Sequence, residues 1–367
     1  MKGKLFLDIH VIQTVPPSCI NRDDTGSPKT AYYGGVKRAR VSSQSWKRSM
    51  RQYFNDEGKL PQGVRTKHVP ELVANEIIAK EPSKTMEEAM KMAVDILVLA
   101  GIDVKEGKKK KDGEKENPGT EALMFISKKQ LEELAGYATD KGFGQLSEKD
   151  RKAKLKEVMN NSNSPDIILF GRMLASNATL NVDASCQVAH AISTHKVDNE
   201  FDYYTGVDEA NKEDQSGAGM IGTIEFNSAT LYRYSTVAIK GLADQIPDKK
   251  DVLTVLESYI RAFILSMPTG KQNTFANQTI PDAVLIEVRE DQPINLAGAF
   301  ESPVRQDDEG GFTRSSIKAL VAYREKVMSE FTGSPKGAWC IGEDMGCEKR
   351  KLDEAISEIL EVLESEL

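Results

Sequence analysis

Gly34-Gly35-Val36-Lys37-Arg38-Ala39-Arg40-Val41-Ser42-Ser43-Gln44-Ser45-Trp46-Lys47-Arg48 is the most informative stretch of this 367-residue chain. It sits inside a longer run, Thr25 to Asn55, that holds no acidic residue and seven basic ones: Lys29, Lys37, Arg38, Arg40, Lys47, Arg48 and Arg51. The whole chain has a formal charge of −7. Residues 1–52 contain ten Lys and Arg against three Asp and Glu, a net +7 that leaves −14 for the remainder. Positive charge gathered beside Ser and Gln donors suits an anion, phosphate above others. Cations attract it, while hydroxyl, amide and backbone N–H groups fix its register. On charge alone, a solvated basic helix face fits equally well.

Working outward, Leu5, Leu7, Ile9 and Val11 alternate with Phe6, Asp8, His10 and Ile12, so residues 4–13 read as a strand. Pro16-Pro17 and the polar stretch Asn21–Lys29 make a loop that ends near Gly34-Gly35. Ser42–Phe54 then reads as a helix. Ser42 or Ser43 caps it, Trp46, Met50 and Tyr53/Phe54 share one face, and Lys47, Arg48 and Arg51 lie near its positive end. Residues 60–170 look helical and rich in Lys and Glu. Thr85-Met86-Glu87-Glu88 and Ser127-Lys128-Lys129-Gln130 are capping-box patterns, and Ser147 opens a further helix. Lys105–Lys115, with Lys108–Lys111 consecutive, reads as a solvated loop.

Strand character returns at Ile167–Phe170 and at Thr223–Ile239, with a polar, Gly-rich excursion over 195–222 between them. Asp251–Met267 is an amphipathic helix stopped by Pro268; Val284, Ile286 and Val288 mark a strand, and helices follow at about 315–330 and 350–366. With the insertions removed, this order is an α+β sandwich of the ferredoxin-like type, the layout of RRM modules.

Apolar content of 39% and charged content of 29% suit a soluble protein of two domains, or of one core with large insertions. No apolar run reaches 18 residues, and Met1-Lys2-Gly3-Lys4 leads straight into the strand instead of a signal-peptide core; a cytoplasmic protein with no membrane partner is expected. Cys19, Cys186, Cys340 and Cys347 match no zinc spacing, so free thiols are expected.

Several motifs fall short of a chemistry. Gly217-Ala218-Gly219-Met220-Ile221-Gly222 spells G-x-G-x-x-G but follows a polar loop and precedes a strand, the reverse of a dinucleotide site. Lys141-Gly142-Phe143-Gly144 begins like an RRM signature and fails at Gln145. His190 and His195 lie five apart, off a common helix face, and read as structural. No nucleophile elbow or closely spaced carboxylate cluster is present, and Gly270-Lys271 lacks the upstream glycine of a phosphate loop. Two segments keep their interest. Phe170-Gly171-Arg172-Met173 sets a cation and a flexible apolar side chain just past a buried segment, and Pro268-Thr269-Gly270-Lys271-Gln272-Asn273-Thr274 could bring donors to a second phosphate.

These residues carry a family likeness. Ile9-His10-Val11, Pro17–Asp24 and Gly34–Arg48 resemble the CasC family, the repeated backbone subunit of the type I-E CRISPR Cascade complex. So do Leu169–Met173, Gln187–Asp198, Phe226–Tyr234 and Gly270-Lys271-Gln272, in consistent order; residues 60–160 and the C-terminal tail match more loosely. The resemblance implies an RRM-like palm (1–58, 180–194, 224–367), a helical finger domain (59–179) and a long thumb loop (195–223).

It also implies a non-catalytic protein without cofactor or metal. Copies stack along the crRNA guide beside the large, small, guide-5′-end and guide-processing subunits, and each thumb displaces one nucleotide of the guide–target duplex. By position, Arg22, Lys37, Arg38, Arg40, Ser42, Ser43, Gln44, Lys47, Arg48, Arg51, Arg172, Lys271 and Gln272 hold guide RNA. Met173 and Tyr204 pack against bases, and Lys149, Arg151, Lys152, Lys154 and Lys156 face target DNA weakly. Such a subunit has no need of base edges, since pairing reads the sequence. The alternatives are a metal-dependent ribonuclease and a stand-alone RRM-type RNA binder.

Overall fold

The computed structural model describes residues 4–107, 116–174, 177–206 and 220–367. The lysine run Lys108–Lys111, the first half of the G-x-G-x-x-G pattern and residues 207–219 of the expected thumb loop lie outside the described residues.

The chain forms two compact units, Met1–Tyr53 with Gln187–Ala243 and Asp248–Leu367, and Phe54–Cys186 with Asp244–Pro247. Their junctions at Tyr53/Phe54 and Cys186/Gln187 compare with the 58/59 and 179/180 of the sequence reading.

In chain order, the first unit begins with β1 (Phe6–Ser18), β2 (Thr30–Tyr33), β3 (Val36–Val41) and α1 (Ser43–Glu57). The second unit follows with β4 (Gly63–Thr66), α2 (Val69–Lys80), α3 (Met86–Leu99), β5 (Val104–Lys105) and β6 (Gly119–Thr120). It continues with β7 (Met124–Ser127), α4 (Lys128–Thr139), α5 (Lys141–Gln145), α6 (Glu148–Asn161) and α7 (Pro165–Phe170). The chain then passes through β8 (Cys186–Val188), β9 (Ala191–Ser193), β10 (Glu200–Gly206), β11 (Met220–Ala238), α8 (Ile239–Ala243), α9 (Lys249–Leu265) and α10 (Gln272–Phe275). It closes with β12 (Ala283–Arg289), the 3-10 turn Leu296–Phe300, α11 (Thr313–Glu330), β13 (Gly337–Gly342) and α12 (Leu352–Glu366).

The main sheet runs β13-β12-β1-β11-β9-β3-β2. Every described pairing in this order is antiparallel. Its four central strands, β12-β1-β11-β9, have the order of a ferredoxin-like sandwich, with α1 and α9 as the crossing helices. Both helices lie on one face, because the Arg233 guanidinium of β11 stacks 3.9 Å from the Trp46 ring of α1 and 4.8 Å from the Phe263 ring of α9. Arg233 is wholly buried and donates to Gln13 Oε1 and the Phe263 carbonyl, and burial lowers its pKa to about 9.

Strand alternation sends Tyr232 and Tyr234 to the opposite face. There they form a core with Ile12, Leu285, Leu296, Phe300, Ile317 and Leu320, roofed by the 3-10 turn and α11. This is the face on which an RRM stacks bases. Here Tyr232 and Tyr234 are buried under that roof.

The second unit packs α2, α3, α4 and α6 around Val73, Ile77, Ala93, Leu97, Leu131, Leu134, Leu155 and Met159. Thr85/Glu88 and Ser127/Gln130 both form the capping boxes that their spacing predicts.

Two expectations are corrected. Ile167–Phe170 is the end of helix α7, not a strand; Pro165 starts it at the first helical position and Gly171, at φ +80°, stops it. A short buried apolar run carries no periodicity that separates the two. Cys340 and Cys347 form a disulfide with Cα atoms 5.8 Å apart, while Cys19 and Cys186 are free thiols. The turn after β13 returns beside the strand, where Cys340 N donates to the Glu348 carbonyl and Arg350 N donates to Cys340 O, so the two sulfurs meet.

Candidate nucleic-acid interface

The basic segment is built around the entry to α1. Trp46, Met50 and Phe54 recur every four residues and are fully buried, which turns Gln44 and Arg48 to solvent and leaves Lys47 and Arg51 half-exposed. Asn21 Oδ1 accepts from Ser42 N (2.9 Å) and His190 Nδ1 accepts from Ser43 N (3.2 Å), so two other segments set the helix start. Burial, then the positive fields of Arg40 and Lys29, hold the His190 pKa below its ordinary value. No acidic residue lies in the first turn. The positive helix end therefore adds to the fields of the cations.

The loop after β1 is drawn to the same place. Asp23 Oδ1 accepts from Thr25 N, Ser27 N and Thr25 Oγ1, forming a tight turn, and Lys29 N donates to the Asn21 carbonyl. Gly270 abuts the Ile20 carbonyl so closely that any Cβ would overlap it. This brings Lys271 near Cys19, on which Arg22 also acts. Burial raises the pKa of the Cys19 thiol, while Arg22 and Lys271 both pull it down. Lys271 (φ 52°) and Ala276 (φ 48°) flank the one-turn α10 as the left-handed non-glycine residues among those described. Held strain of that kind gathers at binding sites.

Arg38 departs from its expected role. Its side chain is wholly buried and donates to the carbonyls of Tyr33, Ser193, Thr194 and Phe300. Burial lowers its pKa. It ties the β2–β3 hairpin to the sheet and has no donor left to meet phosphate. Arg40 is intermediate, half-exposed with Nε donating to the Thr30 carbonyl.

Tyr204 belongs to the β10–β11 hairpin, which extends β11 beyond the sheet. It faces Gly222 across the ladder and lies directly over it, filling the space where a side chain would stand. Phe201, Tyr203 and Ile221 occupy the other face, each more than 60% exposed, while Tyr204 is 37% exposed.

In the second unit, Arg172 is the other correction. It is buried, with Nε donating to the Leu180 carbonyl and Nη2 to the Met159 carbonyl (2.6 Å), and burial lowers its pKa to about 10. Its backbone pairs with Val182, and Leu174 N donates to Asn181 Oδ1. Clamped on both sides, Met173 projects outward and is 83% exposed. On α6, Lys149, Lys154 and Lys156 are exposed, Arg151 is half-buried, and Lys152 pairs with Glu148 at 2.5 Å.

Sequence reasoning missed Tyr32, on a hairpin hidden within the expected loop, and the role of Gly270. Tyr32 and Tyr33 beside Gly34-Gly35 are the hairpin signal that could have revealed the first. Among the described residues, no group of three His, Cys, Asp or Glu side chains is placed to hold a metal, and no helix is long and apolar enough to cross a membrane.

A family model described as CT1975-like protein matches residues 7–364. Among solved structures, the chain is similar to a chain of a "CRISPR RNA-guided surveillance complex, pre-nicking" at 31% identity and a TM-score of 0.82, covering 96% of this chain and 99% of that one. It is also similar to a chain of a "CRISPR RNA-guided surveillance complex" at 28% identity and a TM-score of 0.70, again covering 96% and 99%. A comparison with curated proteins finds no match.

Proposed function

The chain belongs to the CT1975-like family of CasC-type backbone proteins, and we propose that it is a non-catalytic crRNA-binding subunit of a type I-E Cascade complex. Copies of it line the guide, hold its backbone and displace a nucleotide at intervals, so that target DNA pairs in register during antiviral defence. The large, small, guide-5′-end and guide-processing subunits are its other partners, in the cytoplasm.

One observation carries this reading. In a chain of net charge −7, the acid-free segment presents Arg48 and Gln44 to solvent in the first half of α1, and Arg22 and Lys271 both act on Cys19 in the loop before it. Such a surface selects phosphate without reading bases. The exposed Met173 and the thumb aromatic Tyr204 supply apolar contact that tolerates any base. Arg38 and Arg172 serve it from inside by fixing the hairpin and the Met173 turn.

Replacing Lys47, Arg48 and Arg51 by Glu tests the assignment. The triple variant should fold and fail to assemble on guide RNA. An assembled complex carrying full-length guide would sink it.

A further inference from the structure

We infer that Tyr32 and Lys37 together form a one-nucleotide site, in which the Tyr32 ring stacks on a guide base and the Lys37 ammonium meets the adjoining phosphate. This rests on the RNA-binding reading above and adds a base contact to it. The ligand is single-stranded RNA of any sequence, since every base offers a π-face.

The two residues are cross-strand partners in the β2–β3 hairpin, so they stand on the same face, about 5 Å apart at Cβ. Alternation places that face with Ala39 and Val41, which pack with Trp46 of α1; it is the side of the sheet that carries the basic helix. The neighbouring Tyr33 shows what a structural tyrosine looks like here. It points the other way, its hydroxyl donates to the Ala297 carbonyl, and the Arg38 guanidinium lies 5.8 Å from its ring. Tyr32, in contrast, is 78% exposed. Among the described residues it has no ring, hydrogen-bond or charge partner, and the Lys37 ammonium has no acidic one.

A single exposed aromatic is ordinary on a protein surface. Three further facts distinguish this one. The hairpin is rigid: Gly34, at φ +58°, abuts the Glu301 carbonyl with no room for a side chain, and Arg38 fastens the strand from beneath with its buried donors. The backbone of Lys37 is pinned, since Val197 N donates to its carbonyl at 3.0 Å, and Val197 lies three residues before the thumb strand β10. Finally, the pair sits within the acid-free run from Thr25 to Asn55. A ring carried on a fixed backbone has only its own side-chain torsions to order on binding, and a cation one strand away meets the phosphate of the same nucleotide.

The test compares the full chain with its Tyr32→Ala, Tyr32→Phe and Lys37→Ala variants. Each is titrated with an oligoribonucleotide and with an abasic RNA of equal length. Stacking predicts that Tyr32→Ala weakens binding to the ordinary RNA about 5- to 100-fold, that Tyr32→Phe restores it, and that all three Tyr32 forms bind abasic RNA alike. Lys37→Ala should weaken both ligands and flatten the salt dependence by about 0.7 in log–log slope. Unchanged binding by Tyr32→Ala, alongside loss in the Lys47, Arg48 and Arg51 triple variant, overturns this site and leaves the RNA-binding reading standing. Equal loss on abasic RNA overturns it too, because the ring is then not meeting a base. A wild-type chain that binds no RNA overturns both.

Discussion

Arg38 and Arg48 are ten positions apart, within one basic run, and the fold gives them opposite work. Arg48 is exposed on α1, whereas Arg38 is wholly buried among carbonyls. Arg38→Ala should therefore cost about 3 kcal/mol or more in a denaturant melt, and Arg38→Lys should recover little, because an ammonium cannot reproduce the guanidinium fork. Arg48→Ala should stay within about 0.5 kcal/mol. Equal stabilities for the two alanine variants would refute the division. Two buried titratable groups of β1, His10 and Asp8, predict a pH signature. Burial, then the fields of Arg324 and Arg289, lowers the His10 pKa from 6.5 to about 3. Burial raises the Asp8 pKa from 3.8 to about 6, against hydrogen bonds from Ile294 N and Tyr234 Oη. Below its unfolded pKa, His10 takes a proton only in the unfolded chain, so its contribution falls as pH drops from 6.5 towards 3. Asp8 keeps its proton in the folded chain, so its contribution is complete below 3.8 and is lost as pH rises to about 6. The two slopes cancel between about pH 4 and 6. Asp8→Asn should thus lose up to ~1.4 kcal/mol per pH unit on acidification across that window, and His10→Gln should gain. Urea melts at three pH values decide it, and parallel profiles for wild type and both variants would count against it.

The loops and hairpins around α1 hold their positions through close backbone approach. Gly270 against the Ile20 carbonyl is the contact that seats Lys271 near Cys19. Gly270→Ala should displace that loop, weakening RNA binding several-fold while the remainder of the fold stays intact; unchanged affinity in a folded variant would show that Lys271 makes no contact. The β10–β11 hairpin shows another device. Tyr204 covers Gly222 across the ladder, so the ring supports a strand that has no side chain there, and its exposure is lower than that of Phe201 or Tyr203. At the Met173 turn, Gly171 in the left-handed region and the bonds of Arg172 and Leu174 leave one residue with no inward option. These elements were partly legible. The capping boxes, α9 and β12 follow from patterns within one element, whereas β2 and β3 are short strands inside a polar stretch, and β13 is a short strand whose partner β12 is distant in sequence.

For the protein as a whole, the uneven charge sets the binding law. RNA binding should weaken linearly in log–log salt, with about 0.7 of slope for each phosphate neutralised on a single strand. Glu at Lys149, Lys154 and Lys156 should weaken capture of target DNA while leaving guide binding unchanged, as gel shifts with each nucleic acid would show; loss of guide binding instead would reassign α6. The order of strands and helices, and with it the ferredoxin-like sheet, was written in alternation and in 3.6-residue periodicity, which are local properties of the chain. So was the acid-free basic run, because charge is a sum over residues. Which arginine meets solvent was not. Arg38, Arg40 and Arg48 are chemically identical, and only the packing of strands far apart in sequence buries the first, half-covers the second and exposes the third. Likewise, only the α11 roof reveals that Tyr232 and Tyr234 are core while Tyr32 is surface. Burial depends on contacts between distant segments, and a linear pattern records the preference of a residue without its neighbours.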